Sequence, residues 1–328
     1  MKFGAVPLDQ AVGGILAHSV STPDGRLRKG VTLTEDHIAQ LRAAGLTDVV
    51  TARPDPTDLH EDAAAKILAQ ALAGQGVRLS TPFTGRVNLI ADAPGVAVLD
   101  VQALHAVNAI HPMITVATVP NLHQMRPKGM IATIKIISYA VPQSDLSAAV
   151  EAAQGAIRLA TPRLRTASLI VSDTAGGAGL KGQDAIAARL EALDMVLEDV
   201  QRVAHDTAEI AAALARATGD LLLILTATAT SDENDTAPAA LRAAGGIVTR
   251  FGMPVDPGNL LFLGGLGARP VIGLPGCARA PALNGADWVL SRIACGLDIT
   301  SADIAGMGVG GLLKEIPTRP MPRRAKPA

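Results

Sequence analysis

Aromatic residues make up only 2% of this 328-residue chain: one Trp, one Tyr and four Phe. A core built on aromatic packing is therefore excluded, and the core must be aliphatic. Charge of either sign is also lacking in excess. Lys and Arg number 29 and Asp and Glu 30, a net charge of −1, which leaves no electrostatic footprint for nucleic acid. Two cysteines, Cys277 and Cys295, cannot build a disulfide framework or a zinc site alone. No apolar run reaches the roughly 20 residues that span a bilayer. The first residues meet Asp9 before any apolar stretch develops, which argues against a signal peptide and for a cytoplasmic protein. Walker and G-x-S-x-G motifs are absent too, which argues against a P-loop kinase or a serine hydrolase.

What the chain has is aliphatic. Hydrophobic residues reach 48%, with 32 glycines, the composition of helices packed closely on an aliphatic sheet. The length suits about two domains. Residues 1–75 read as helical and polar. Within them, 29–53 reads as turn, helix and strand, with Thr34 as the helix cap and Gly45 at its end, and 60–74 as a second helix. Between about 80 and 141 short β-branched runs alternate with turns, the pattern of a β-rich module, and 144–157 reads as a linker helix capped by Ser144.

From Thr166 strands and helices alternate. TASLIVSD (166–173), MVLEDVQRV (195–203), DLLLILTA (220–227), IVTRFG, LLFLGG and PVIGLPG read as strands. Helices fall at 183–193, after Asp206, from Pro238 and at about 280–295. This rhythm predicts an α/β domain with a doubly wound, mostly parallel sheet, preceded by a smaller α+β, β-rich region. The expected divisions are 1–78, 79–160, 161–300, and a partly disordered tail over 301–328.

Ligands of open parallel sheets bind at the carboxyl ends of the strands, where strand order reverses. Three loops occupy such ends: 172–182 with Gly176, Gly177 and Gly179; 226–238; and 273–281. Each leads into a helix, so backbone N–H groups converge there and an anionic ligand is the natural occupant. The middle loop offers the hydroxyls of Thr226, Thr228, Thr230 and Ser231, then Asp232, Glu233, Asn234 and Asp235. Hydroxyls and N–H groups suit a phosphate, and a carboxylate beside one suits a metal or a pterin N–H. The seven histidines form no i,i+3 or i,i+4 pair; His205 alone is placed to reach the crevice, and a simple turn role fits it equally.

The order of these loops resembles the molybdopterin-binding domain of MogA-type adenylyltransferases, MoeA-type molybdotransferases and gephyrin, over about residues 166–296. The family loop T-G-G-T-G, followed by R-D and a Thr-Pro helix start, stands here as Thr226-Ala227-Thr228-Ala229-Thr230, then Asn234-Asp235-Thr236 and Pro238. Its P-G-K-P loop stands as Asp256-Pro257-Gly258-Asn259, and its L-P-G-N-P loop as Leu274-Pro275-Gly276-Cys277-Ala278. Asp173 sits where the MoeA type has T-G-D-E. Segment 29–53 also resembles a MoeA-type segment, and 84–141 resembles bacterial molybdopterin-binding proteins often fused to a molybdenum cofactor cytidylyltransferase.

The resemblance implies molybdopterin, or its nucleotide form, as the ligand. Ser172, Thr226, Thr228, Thr230, Ser231, Pro257, Gly258, Pro275, Gly276 and Cys277 would bind it. Asp235 and Asp173 would be the catalytic pair, with Asp235 on a metal, and Mg²⁺ and molybdate the accompanying ions. Two functions stay open: a MoeA-like molybdotransferase, or a non-catalytic carrier that hands cofactor to a cytidylyltransferase or an apo-molybdoenzyme. The family's double glycine is Ala227 and Thr228 here, and its basic residues are Glu233 and Asn234, which weighs against a triphosphate substrate. A homodimer is expected, with no nucleic-acid or membrane partner. Cys277, ahead of the last helix, is the more reactive thiol on this reading.

Overall fold

The computed structural model describes residues 1–174, 180–256 and 258–313. The glycines of the first loop (Gly176, Gly177, Gly179), Pro257 and the tail from 314 lie outside the described residues. The chain divides into two compact units: one of 1–92, 97–121 and 128–159, the other of 93–96, 122–127 and 160 onward.

The first unit starts with strands, where the sequence reads as helical. Lys2–Pro7, Asp48–Arg53 and Ile15–Leu16 form an antiparallel sheet, in that order with Asp48–Arg53 central. Helix Glu35–Ala43 has the expected Thr34 cap, closed into a capping box by His37, and packs Ile38 and Leu41 with Leu8, Leu16, Leu33 and Val49. Short polar strands carry no strong period, so pairing with Asp48–Arg53 decides them rather than local pattern.

The region of β-branched runs is a four-stranded antiparallel sheet in the order Ile114–Thr118, Met130–Ile136, Arg86–Ala91, Val77–Leu79. It also holds a helix that the β-rich pattern hides, Val101–Ile110, capped by Asp100, whose side chain accepts from Ala103 N–H at 3.0 Å. The helix after it is no linker. Gln143–Ala153 buries Leu146, Ala149 and Ala153 and packs on Val101–Ile110 and Glu61–Leu72. Ser144 is not its cap: Pro142 holds the cap position with no side-chain bond, and the Ser144 hydroxyl donates to Asp145 instead.

The second unit is a mixed α/β layer arrangement around one six-stranded sheet. Its strands are β1 (Thr166–Asp173), β2 (Val196–Ala204), β3 (Leu221–Leu225), β4 (Ile247–Met253), β5 (Asn259–Leu266) and β6 (Arg269–Leu274). They lie in the order β2-β1-β3-β6-β5-β4. The pairings β1–β2, β1–β3 and β3–β6 are parallel, while β5 runs antiparallel to both neighbours. Helices α1 (Gln183–Glu191), α2 (Thr207–Arg216), α3 (Thr236–Ala243) and α4 (Gly285–Ala294) supply two cores. Leu169, Val171, Leu223 and Leu225 pack with Ile186 and Leu190 of α1 and Val289 and Leu290 of α4. Ile170, Leu222 and Ile224 pack with Ile210 and Leu214 of α2 and Leu241 of α3. Alternate residues of one strand feed different cores, which is why β3 is buried along its whole length. Each such Leu or Ile contributes about 1.5–3 kcal/mol of burial.

Two helix starts differ from the expected ones. α3 begins at Thr236, not Pro238, because Asp235 caps it and the proline sits in the first turn, where no N–H partner is required. α4 begins at Gly285 behind Asn284, so Cys277 lies in a separate 3-10 turn, Gly276–Arg279, and not at a helix N-terminus. Residues 301–306 are also no tail: Ser301–Gly306 is a short helix capped by Thr300, with Ile304 in the core.

Candidate functional site at the carboxyl ends of the parallel strands

The chain passes from β1 to β2 on one side and returns past β1 to β3, so strand order reverses between β1 and β3. Side chains at that point come from Ser172 and Asp173 at the end of β1, His205 after β2, and the loop after β3.

His205 joins these three strand ends. Its Nδ1 lies 2.8 Å from Ser172 Oγ and its Nε2 3.1 Å from Thr228 Oγ1. Ser172 is buried, and its Oγ also accepts from Ala227 N–H at 3.2 Å. Thr226 donates to Thr228 O at 2.6 Å and lies 3.4 Å from Thr230 Oγ1, so hydroxyls shape the loop from within. Of the four loop hydroxyl residues, Thr226 and Thr230 are buried while Thr228 and Ser231 are exposed and available to a ligand.

Both carboxylates expected to be catalytic already hold structure. Asp235 accepts from Ser231 N–H at 2.9 Å and from Thr236 N–H at 2.7 Å. These two backbone bonds hold its carboxyl below the usual carboxylate range, against burial and with a smaller push from His205. Asp173 takes Arg202 Nε at 3.0 Å, a further bond from Arg202 Nη2, and Thr174 N–H at 3.0 Å. No group of three or more His, Cys, Asp and Glu that could hold a metal occurs among the described residues.

The late loop reaches the same place through Arg279, which the sequence does not single out. Its Nη2 donates to Thr226 O at 2.9 Å and its Nη1 to Lys181 O at 2.6 Å, tying the loops after β6, β3 and β1 together. Burial pulls this guanidinium below its usual range, opposed by the Asp173 charge. Pro275 is buried, Gly276 exposed and Cys277 half-buried. Gly258 stands apart in the turn between β4, an edge strand, and β5; the Asp256 N–H there donates to Gly311 O at 2.8 Å. Residues missed by sequence reasoning are Arg202 and Arg279. His205, the one histidine that the sequence places within reach of the crevice, lies there on Ser172 and Thr228.

The hydroxyls of Thr228 and Ser231 are exposed, and hydroxyls and guanidinium N–H groups are donors of the kind a phosphate oxygen accepts from.

Comparison with known proteins gives three findings. A family model described as a domain of unknown function (DUF8806) matches residues 5–53. No curated protein matches the chain. Among matching solved structures is the molybdopterin biosynthesis MoeA protein from Pyrococcus horikosii, at 13% identity, over 90% of this chain and 75% of that one, with a TM-score of 0.31. At that score the fold rests on the chain's own strand order, and the site on its own residues.

Proposed function

We propose that the second unit is a doubly wound molybdopterin-binding domain, over about residues 161–300, that takes molybdopterin or its nucleotide form in molybdenum cofactor biosynthesis. The observation that carries this is the Ser172–His205–Thr228 hydrogen-bonded chain across three adjacent parallel strands, in the loops whose motifs resemble that family. In this reading Thr228 and Ser231 donate to the phosphate, and His205 fixes the orientation of the Thr228 hydroxyl. Gly276, exposed and without a side chain, leaves the late loop open to approach at that point. Bound there, molybdopterin supplies the sulfurs that receive molybdenum. Titration of the purified protein with molybdopterin and with its cytosine dinucleotide form tests the reading. Micromolar binding of at least one is expected, and binding of neither refutes it.

The second reading, a carrier without chemistry, is favoured over a MoeA-like molybdotransferase by one observation: Asp235 and Asp173 are committed to backbone N–H groups and to Arg202. Such a carrier would work in the cytoplasm and deliver to a cytidylyltransferase or an apo-molybdoenzyme. Release of AMP from adenylylated molybdopterin in the presence of molybdate would instead assign the enzyme, with Mg²⁺ required. Self-association fits the apolar side chains left exposed between 80 and 141, Phe83 at 75%, Met130 at 54% and Ile137 at 56%. A light-scattering mass of about twice 33.5 kDa is expected, and a mass of one chain at tens of micromolar refutes the dimer.

A further inference from the structure

We propose that Arg279 is the oxyanion-recognition residue of the crevice, reading a phosphate monoester or pyrophosphate through a two-pronged contact. The proposal rests on the reading above for the identity of the ligand, but its geometry is independent of it.

Two arginines on neighbouring elements show the contrast. Arg189, on α1, spends all five of its donors on protein: Nε on Asp287, Nη1 on the carbonyls of Ala185 and Ala278, and Nη2 on those of Ala280 and Ala282. It is a fastening for the late loop. Arg279, inside that loop, spends two, on the carbonyls of Lys181 and Thr226. Three of its five donors have no partner among the described residues, and no carboxylate lies within ion-pair distance of it there. The opposing charge that acts on it, Asp173, is engaged by Arg202.

The position is built. Gly182 has φ +98°, and a Cβ on it would stand 2.7, 2.8 and 2.9 Å from Arg279 Cα, Cβ and Cγ. Backbone thus passes directly over the arginine stem, fixing where the guanidinium emerges between the loops after β1 and β3. A half-buried cation with no carboxylate at ion-pair distance among the described residues is costly, as its lowered proton affinity reflects, and an oxyanion would offset that cost. The central loop cannot supply the charge, because Glu233 and Asn234 stand before Asp235. A planar fork anchored by two carbonyls presents its remaining N–H groups in the geometry that two phosphate oxygens accept.

Calorimetric titration of wild type, Arg279→Gln and Arg279→Lys with molybdopterin, with its dephosphorylated form and with inorganic pyrophosphate tests this. Arg279→Gln is expected to weaken the phosphorylated ligand about 30-fold and to leave the dephosphorylated one within about 2-fold. Arg279→Lys, which keeps the charge but not the fork, should fall between. Equal weakening of both pterins, or of neither, overturns the proposal, since a purely structural fastening would not distinguish them. If wild type binds no pterin, the reading of the ligand fails, and pyrophosphate decides Arg279 alone. Pyrophosphate binding that is lost in the variants supports it, and no pyrophosphate binding to wild type overturns it. Should Arg279→Gln not fold, as judged by its urea transition, the Lys variant carries the same comparison.

Discussion

Replacing Asp235 by alanine separates a structural carboxylate from a catalytic one. The side chain caps α3 through Thr236 N–H and closes the preceding loop through Ser231 N–H. Losing an N-cap costs about 1 kcal/mol, and a second, charge-assisted bond to a loop N–H about 1.5 kcal/mol more. The expected loss is roughly 2–3 kcal/mol, or about 4–10 °C in the unfolding temperature of a unit this size. The pH dependence follows from the sign of the shift. The carboxyl is held below its ordinary value of 3.8, so its contribution is present above that value and is lost as pH falls through the folded-state value. Scanning calorimetry and urea titration of wild type and Asp235→Ala at pH 7, and again as pH falls from 4 to 3, should show a wide gap that closes on acidification. Asp235→Asn, a good cap that lacks the charge, should lose about half as much. A variant as stable as wild type at pH 7, or a gap indifferent to pH, refutes the capping argument and returns Asp235 to the ligand.

Gly273 faces Phe262 across the β5–β6 pairing, and a Cβ there would stand 1.9 Å from the ring, so Gly273→Ala should destabilise by about 1–3 kcal/mol in urea titration, less when combined with Phe262→Leu. Burial pushes the Cys295 thiol up to about 11, so Cys277 should react with a chromogenic disulfide at pH 8 while Cys295 waits for unfolding; equal rates would contradict this. Tyr139, the chain's single tyrosine, donates to Ala17 O at 2.9 Å and is raised above 10 by burial, with a smaller effect from Glu61. Absorbance titration should place it above free tyrosine, and the stability it contributes, present below pH 10, should fall as pH rises through its folded value.

What was legible in the sequence was whatever a local pattern encodes. TASLIVSD is a strand over the same residues, 166–173, because a short run rich in Leu, Ile and Val, with its six central residues buried on both faces, suits a central parallel strand. Thr34 and Asp206 cap the helices they precede, since a cap is satisfied within three residues. Val101–Ile110 was hidden because its valines and isoleucine sit among β-branched runs, and only packing against Gln143–Ala153 and strand Ile114–Thr118 settles it as a helix. Ser144 failed as a cap for a related reason: the chain enters that helix from Ala140–Pro142, a strand paired with Asp58–His60, which fixes the first turn two residues earlier.

The site follows the same division. Hydroxyls in one loop can be seen as a run, and Thr226, Thr228 and Ser172 did prove to be neighbours. The partners that give them direction come from elsewhere in the chain. His205 lies 33 residues from Ser172 and 23 from Thr228, and Arg279 lies 53 from Thr226. Parallel strands place such residues side by side only after crossovers of about a dozen residues or more, so no spacing rule within one helix or hairpin can reveal them. The same distinction separates Asp235 from Arg279 and His205. A short-range pattern finds carboxylates that close their own loops, as Asp235 does four residues from Ser231. A group held by carbonyls from two distant loops, with donors left over, is positioned by the fold and serves no local turn. Arg279 and His205 are therefore placed by the fold, through partners 53 and 33 residues away, whereas Asp235 is placed by its own loop.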